Sequence, residues 1–197
     1  MEPARLEAFT DGVVAIIITI MVLELKLPPS ADAAGLLAVL PTLFIYALTF
    51  TNVGLFWNNH HHMLHATREV NGTVLWANLF LLFWLSLVPF VIRWIGEVGI
   101  APLPIAAYGL VLTLSGFGYR WLERSIITAN PRNRVLARAI GSDRKGWLSL
   151  VGYVASIPLA FVDPWISIAI YLGIAILWLI PDRRIEKAIG KDADSAG

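Results

Sequence analysis

Cysteine is missing from all 197 residues, which removes disulfides, thiolate nucleophiles, zinc–thiolate sites and iron–sulfur ligation at once. Charge is scarce as well. Asp, Glu, Lys and Arg make up 15% of the chain, against about 25% in an ordinary soluble domain. With 15 basic and 14 acidic side chains the net charge is +1, so the chain lacks the basic excess that grips nucleic acid, and no nucleic-acid partner is expected. It also has no Gly-rich phosphate loop, nucleophile elbow or catalytic carboxylate pair. Ser86, Ser115 and Ser156 stand alone in apolar stretches, where a hydroxyl bonds to backbone or to a neighbouring helix more often than it does chemistry. The chain is therefore read as a non-enzyme that needs no cofactor.

What it has in excess is apolar surface: 57% of residues, with a mean hydropathy of +0.70. A core of this size cannot hide that much, and a bilayer can. Each span takes roughly 20 apolar residues, so the length allows about six with short connections. Punctuation divides the chain into apolar segments 9–27, 36–57, 74–94, 100–121, 147–162 and 164–180. Pro28-Pro29 stops the first of these, because proline supplies no N–H and opposes helix in the residue before it. No small-residue cleavage pattern follows that segment, which reads as a retained helix. The fold class is all-α: a polytopic membrane protein with six transmembrane helices in one domain over residues 1–190. Residues 191–197 read as a disordered polar tail.

The basic residues orient the bundle. With a cytoplasmic N-terminus, the inside segments hold Arg5, Arg68, Arg120, Arg124, Arg132, Arg134, Arg138, Arg144, Lys145, Arg183, Arg184, Lys187 and Lys191, and only Lys26 and Arg93 fall outside. Such asymmetry marks cytoplasmic loops, so both termini are expected inside the cell. Trp57, Trp94, Trp121, Trp147 and Trp165 fall near span ends, where indole rings favour the headgroup level. The basic 120–145 connection is explained by topology and contact with membrane lipid.

Some polar residues do not belong in lipid. Asp11 lies in the first apolar segment, and a carboxylate there needs protein, water or a partner. Arg5 is one candidate. The second segment returns to the same level and ends in Asn58-Asn59-His60-His61-His62-Met63-Leu64-His65, and the third begins with the donors Trp76 and Asn78. Asp11 either anchors the first helix to the second and third or carries ions. It points about 140° away from Ile16 on a helical wheel, which favours the anchor. Gly12, Ile16, Thr19, Ile20 and Leu23 share a stripe, but the helix is apolar all round, so periodicity alone does not separate a pore from a lipid or packing face. Glu24 reads as an interfacial carboxylate or a lure for cations at an entrance. His61 and His65 have metal-binding spacing, yet every histidine lies within His60 to His65, whereas membrane metal enzymes draw clusters from several segments. No metal site is expected; a hydrogen-bonded helix end explains the run, with proton sensing as the alternative.

The first helix also carries a specific likeness. Arg5-x-x-x-Phe9-Thr10-Asp11, the Ile/Val run with Thr19, and Met21-Val22-Leu23-Glu24-Leu25 resemble the signature helix of the endosomal and lysosomal potassium channel family, the transmembrane protein 175 type. Phe56-Trp57-Asn58-Asn59-His60-His61-His62, Trp76-Ala77-Asn78-Leu79-Phe80 and Leu85-Ser86-Leu87-Val88-Pro89-Phe90 are similar to that family's second and third helices. These motifs cover about the first 90 residues. The family motif usually reads Phe-Ser-Asp, and Thr10 keeps the hydroxyl while adding a methyl.

The resemblance implies a network in which Arg5, Phe9, Thr10 and Asp11 meet His60, His61, His62, Trp76 and Asn78. It also implies a homotetramer in the bacterial inner membrane, with Ile16, Thr19, Ile20 and Leu23 lining a potassium pore. No Thr-Val-Gly-Tyr-Gly filter is present, so a hydrophobic constriction would select by the cost of dehydration. A proton-coupled secondary transporter using Asp11 and the histidines is the alternative, although the paired broken helices of such proteins are weak here. A membrane metalloenzyme is a third.

Overall fold

Proline and short polar side chains decide where the helices begin. The computed structural model describes residues 2–131 and 144–179, and every regular element among them is helical. The elements are α1 (Pro3–Leu23), α2 (Ala33–His65), α3 (Gly72–Ser86), α4 (Val88–Val98), α5 (Pro102–Ala129), α6 (Arg144–Leu159) and α7 (Pro164–Leu179). Proline at the first or second position opens α1, α4 and α5, where its missing N–H costs nothing. Asp32 caps α2 by accepting from Gly35 N at 2.8 Å, and Asn71 caps α3 by accepting from Val74 N at 3.0 Å. The Asp32 carboxyl is held below its usual range by the Ser30 hydroxyl and then by the Gly35 N–H.

Several boundaries differ from the sequence expectation: α1 begins already at Pro3, α2 runs on to His65 and α5 to Ala129, and two further differences lie at the end of α1 and within segment 74–94. Segment 74–94 is broken at Leu87 into α3 and α4. Pro89 has no N–H, and the chain adjusts by turning Leu87 N to Trp84 O at 3.2 Å and Ser86 Oγ to Phe83 O at 2.7 Å. The first helix ends at Leu23, ahead of Pro28-Pro29. Residues beyond it are drawn to α4 instead: Lys26 Nζ lies 2.8 Å from Glu97 Oε2, and Arg93 Nε 3.7 Å from Glu24 Oε2.

Among the described residues four paths are long and apolar enough to cross a membrane: α1, α2, α3 joined with α4, and α5. At 16 residues each, α6 and α7 measure about 24 Å, short of a hydrocarbon core of about 30 Å. In contrast α2, with 33 residues, is about 50 Å long, so it exceeds the core by nearly four turns. Arg132, Arg134, Arg138, Arg183, Arg184, Lys187, Lys191, Ile180 and the tail 191–197 lie outside the described residues.

Helix α5 runs along α3 on one side and α6 on the other, while α1 packs against α2, α3 and α4. At Gly118 an added Cβ would stand 3.1 Å from the Leu81 backbone, so α3 and α5 touch nearly backbone to backbone. Asn130 joins the end of α5 to the α2–α3 connection. Its Oδ1 accepts from Arg68 N at 3.1 Å and Glu69 N at 2.9 Å, and its Nδ2 donates to Glu69 O at 3.0 Å. These ties gather Arg5, Arg68, Arg120, Arg124, Arg144 and Lys145 at one end of the bundle and leave Lys26 and Arg93 at the other.

Candidate functional site at the polar end of the first helix

Antiparallel packing brings the N-terminal half of α1 level with the C-terminal half of α2 and the start of α3, and three sets of polar contacts cross the seam. The innermost joins three helices. Asn78 Nδ2 donates to Thr10 Oγ1 at 3.0 Å, and Asn78 Oδ1 lies 2.7 Å from His60 Nε2. An amide oxygen only accepts, so His60 carries its proton on Nε2. That leaves the buried His60 Nδ1 as a lone pair with no partner among the described residues. Thr10, Asn78 and His60 are all buried. The threonine methyl is accommodated without loss of the hydroxyl contact.

The second contact holds the carboxylate. Trp57 Nε1 donates to Asp11 Oδ1 at 2.8 Å. The third lies one helical turn further out, where His61 Nδ1 is 2.6 Å from Glu7 Oε1. The spacing is the reason: Glu7 and Asp11 are i, i+4 on α1, and Trp57 and His61 are i, i+4 on α2, so two rungs cross one seam. Aromatic stacking backs them. Trp57 stacks on His61 at 6.0 Å between centroids, and His61 on His65 at 5.9 Å.

The structure brings together Thr10, Asp11, His60, His61 and Asn78 of the residues expected in the network. It leaves others apart. Trp76 is 69% exposed, because two residues along a helix is a 200° rotation from Asn78. Phe9 is 52% exposed, and Arg5 and His62 are also exposed. Trp57, read from sequence as an interfacial anchor, is the donor to Asp11 in place of Arg5 or a histidine. Glu7 was not singled out, although its i, i+4 relation to Asp11 was a signal. Among the described residues no group of three or more His, Asp or Glu side chains is arranged to hold a metal.

Further along α1 the two faces part. Leu6, Thr10, Val14, Ile17 and Met21 are buried against the protomer's own helices. Ile16 is 59% exposed and Leu23 80%, and Thr19 and Ile20 are exposed with them. Thr19 Oγ1 donates to Ile16 O at 2.9 Å, which spends its proton on the backbone and leaves oxygen lone pairs facing outward.

Among the described residues, an all-helical bundle with four membrane-long apolar paths, a polar seam at one end and an apolar stripe left bare on its first helix is that of a polytopic membrane protein. The family described as Endosomal/lysosomal potassium channel TMEM175 matches residues 5–89, the region of that seam. A protein from Chryseobacterium sp. (strain P1-3) named a potassium channel is 49% identical, over 96% of this chain and 98% of its own. A Streptomyces collinus protein, also named a potassium channel, is 30% identical over 85% of this chain and 87% of its own. The chain belongs to the TMEM175 family, among its bacterial members. The crystal structure of a lysosomal potassium-selective channel TMEM175 homolog from Chamaesiphon minutus has the same fold, with a TM-score of 0.75 at 24% identity over 90% of this chain and 96% of that one.

Proposed function

We propose that this chain is a passive, potassium-selective channel of the bacterial inner membrane, built as a homotetramer with α1 around the axis. In this reading six spans form one domain, with α6 and α7 crossing as a short hairpin in locally thinned bilayer, and the charge asymmetry supports cytoplasmic termini. The polar end of the seam then faces the cytoplasm, and the protruding end of α2 carries the histidines into the headgroup region.

One observation carries the reading: Ile16, Thr19, Ile20 and Leu23 are bare along a helix whose opposite face is buried. Four such stripes around an axis would make a narrow, poorly wetted passage through which an ion must shed water. Potassium sheds it more readily than sodium, which sets the direction of selectivity. Thr19 supports a partly stripped ion with a ring of outward lone pairs. Both named relatives are potassium channels, which favours this cargo.

Ile16→Asn tests it. In reversal-potential recordings from protein in liposomes, the substitution is expected to wet the constriction and weaken potassium over sodium preference about tenfold. An unchanged preference removes Ile16 from the filter. The transporter alternative predicts flux against a gradient; it is disfavoured because Asp11 and His60 are tied sideways between helices and not strung along a path.

A further inference from the structure

Two rungs join α1 to α2, and they differ in kind. The Asp11–Trp57 rung uses an indole N–H that never changes charge. The Glu7–His61 rung uses an imidazole, the side chain that ordinarily changes charge between pH 5 and 8. A carboxylate only accepts, so Nδ1 of His61 donates to Glu7 and Nε2 is the nitrogen left for a second proton. The pair is open to water, with Glu7 21% and the His61 side chain 42% exposed, so a proton can arrive from bulk solvent.

We infer that Glu7 and His61 form a proton-binding contact that positions α1, holding its cytoplasmic end to α2 more tightly when His61 is charged. A proton from water joins His61 Nε2, no covalent bond of the protein breaks, and the contact changes from an ion–dipole hydrogen bond to an ion pair with the same atoms. Charge-assisted bonds of this sort are roughly twice as strong as neutral ones. The titratable groups in contact with the ring belong to α1 and α2. Glu7 meets the ring from α1, with Asp11 one turn along on the Trp57 indole, and negative charge there favours the added proton. On α2, His62 lies 5.5 Å away and His65 5.9 Å between centroids, and both oppose it when charged, as does buried His60. Helix α3 carries no titratable side chain between Gly72 and Ser86, and Arg5 projects from the opposite side of α1 to Glu7.

The consequence for current rests on the pore reading above. Drawing the cytoplasmic half of α1 toward α2 pulls it away from the axis, so acidification at that end favours the wider passage.

The absence of cysteine allows a test that does not depend on conduction. A nitroxide on Ala4→Cys, an exposed position in the first turn of α1, reports how firmly that turn is held. In otherwise native protein in nanodiscs, its spectrum is expected to become less mobile as pH falls from 8 to 5.5. A spectrum flat over that range overturns the proposal without any further variant. Glu7→Gln and His61→Gln are expected to abolish the change, Glu7→Asp to restore part of it, and His62→Gln or His65→Gln to preserve it; a response that follows His62 or His65 instead overturns the assignment. In excised patches with pH varied at the face bearing the N-terminus, current is expected to rise about fivefold over the same interval, and Glu7→Gln to remove the rise. A label that responds while no current flows keeps the contact and refutes the channel reading.

Discussion

The two halves of the bundle solve the same problem with different chemistry. Between α1, α2 and α3, helices are joined by a carboxylate on an indole, a carboxylate on an imidazole, and a threonine–asparagine–histidine chain. Between α5, α6 and α7 the buried joints are neutral hydroxyls, and charge enters only at one end, where Lys145 Nζ donates to Leu177 O at 3.3 Å and Arg120 lies over the Trp147 ring. Tyr171 OH donates to Ile105 O at 3.0 Å and lies 3.0 Å from Ser156 Oγ, while Ser167 Oγ donates to Ser156 O at 2.7 Å. Asn52 Nδ2 extends that set to Tyr108 OH at 3.2 Å, and the two tyrosine rings meet edge to face at 5.1 Å. The tyrosine and serine hydroxyls of this set stay uncharged around neutral pH and hold one arrangement. Charged groups near water are worth less as glue but respond to ions, voltage and protons. The responsive half is also the half that the family profile matches.

If that contrast is right, breaking each half should have different effects. The largest is expected from Asn78→Ala, which strands both the His60 N–H and the Thr10 hydroxyl in a buried site and should cost about 3 kcal/mol, read as a lower thermal midpoint of the purified protein. Asp11→Ala frees the Trp57 indole, which is partly exposed and can find water, so the expected cost is about 1 to 2 kcal/mol. Its signature is a reduced yield of assembled protein with unaltered ion preference. Full assembly with altered permeation would instead put Asp11 in the ion path. In the other half, Tyr171→Phe keeps the ring against Tyr108 and loses only the hydroxyl, for about 1 kcal/mol, with no change in currents after normalisation to folded protein. A changed current would show that the C-terminal half is not merely glue.

The smallest effect belongs outside both halves, at the Asp32 cap. Its carboxyl is held below the ordinary 3.8, so the folded form binds its proton less readily than the unfolded chain. The cap's stabilisation is therefore present above that ordinary value and fades as pH falls through the folded one. Asp32→Asn should flatten the acid limb of thermal stability between pH 5 and 2, by an amount small enough to need paired melts.

Much of this was readable along the chain. Composition required a bilayer, the helical class followed from apolar runs bounded by proline, and the motif residues Thr10, Asp11, His60, His61 and Asn78 do gather at one end. The choice of partners was not readable. Arg5 and the histidines were plausible for Asp11 because each lay within a few residues of the correct depth. One turn along a helix shifts a side chain by about 6 Å on the same face, enough to exchange His61 for Trp57, and two residues rotate it by about 200°, enough to carry Trp76 out of the seam altogether.

Sequence by itself determined which side chains had to leave lipid and roughly how deep each would lie, because desolvating a carboxylate, an amide or an imidazole is a property of the group. Tertiary structure decided which donor each would meet and which face of α1 stayed bare. Those depend on the rotation and axial offset of helices packed by apolar contacts spread over their whole length, and no local stretch of residues encodes either.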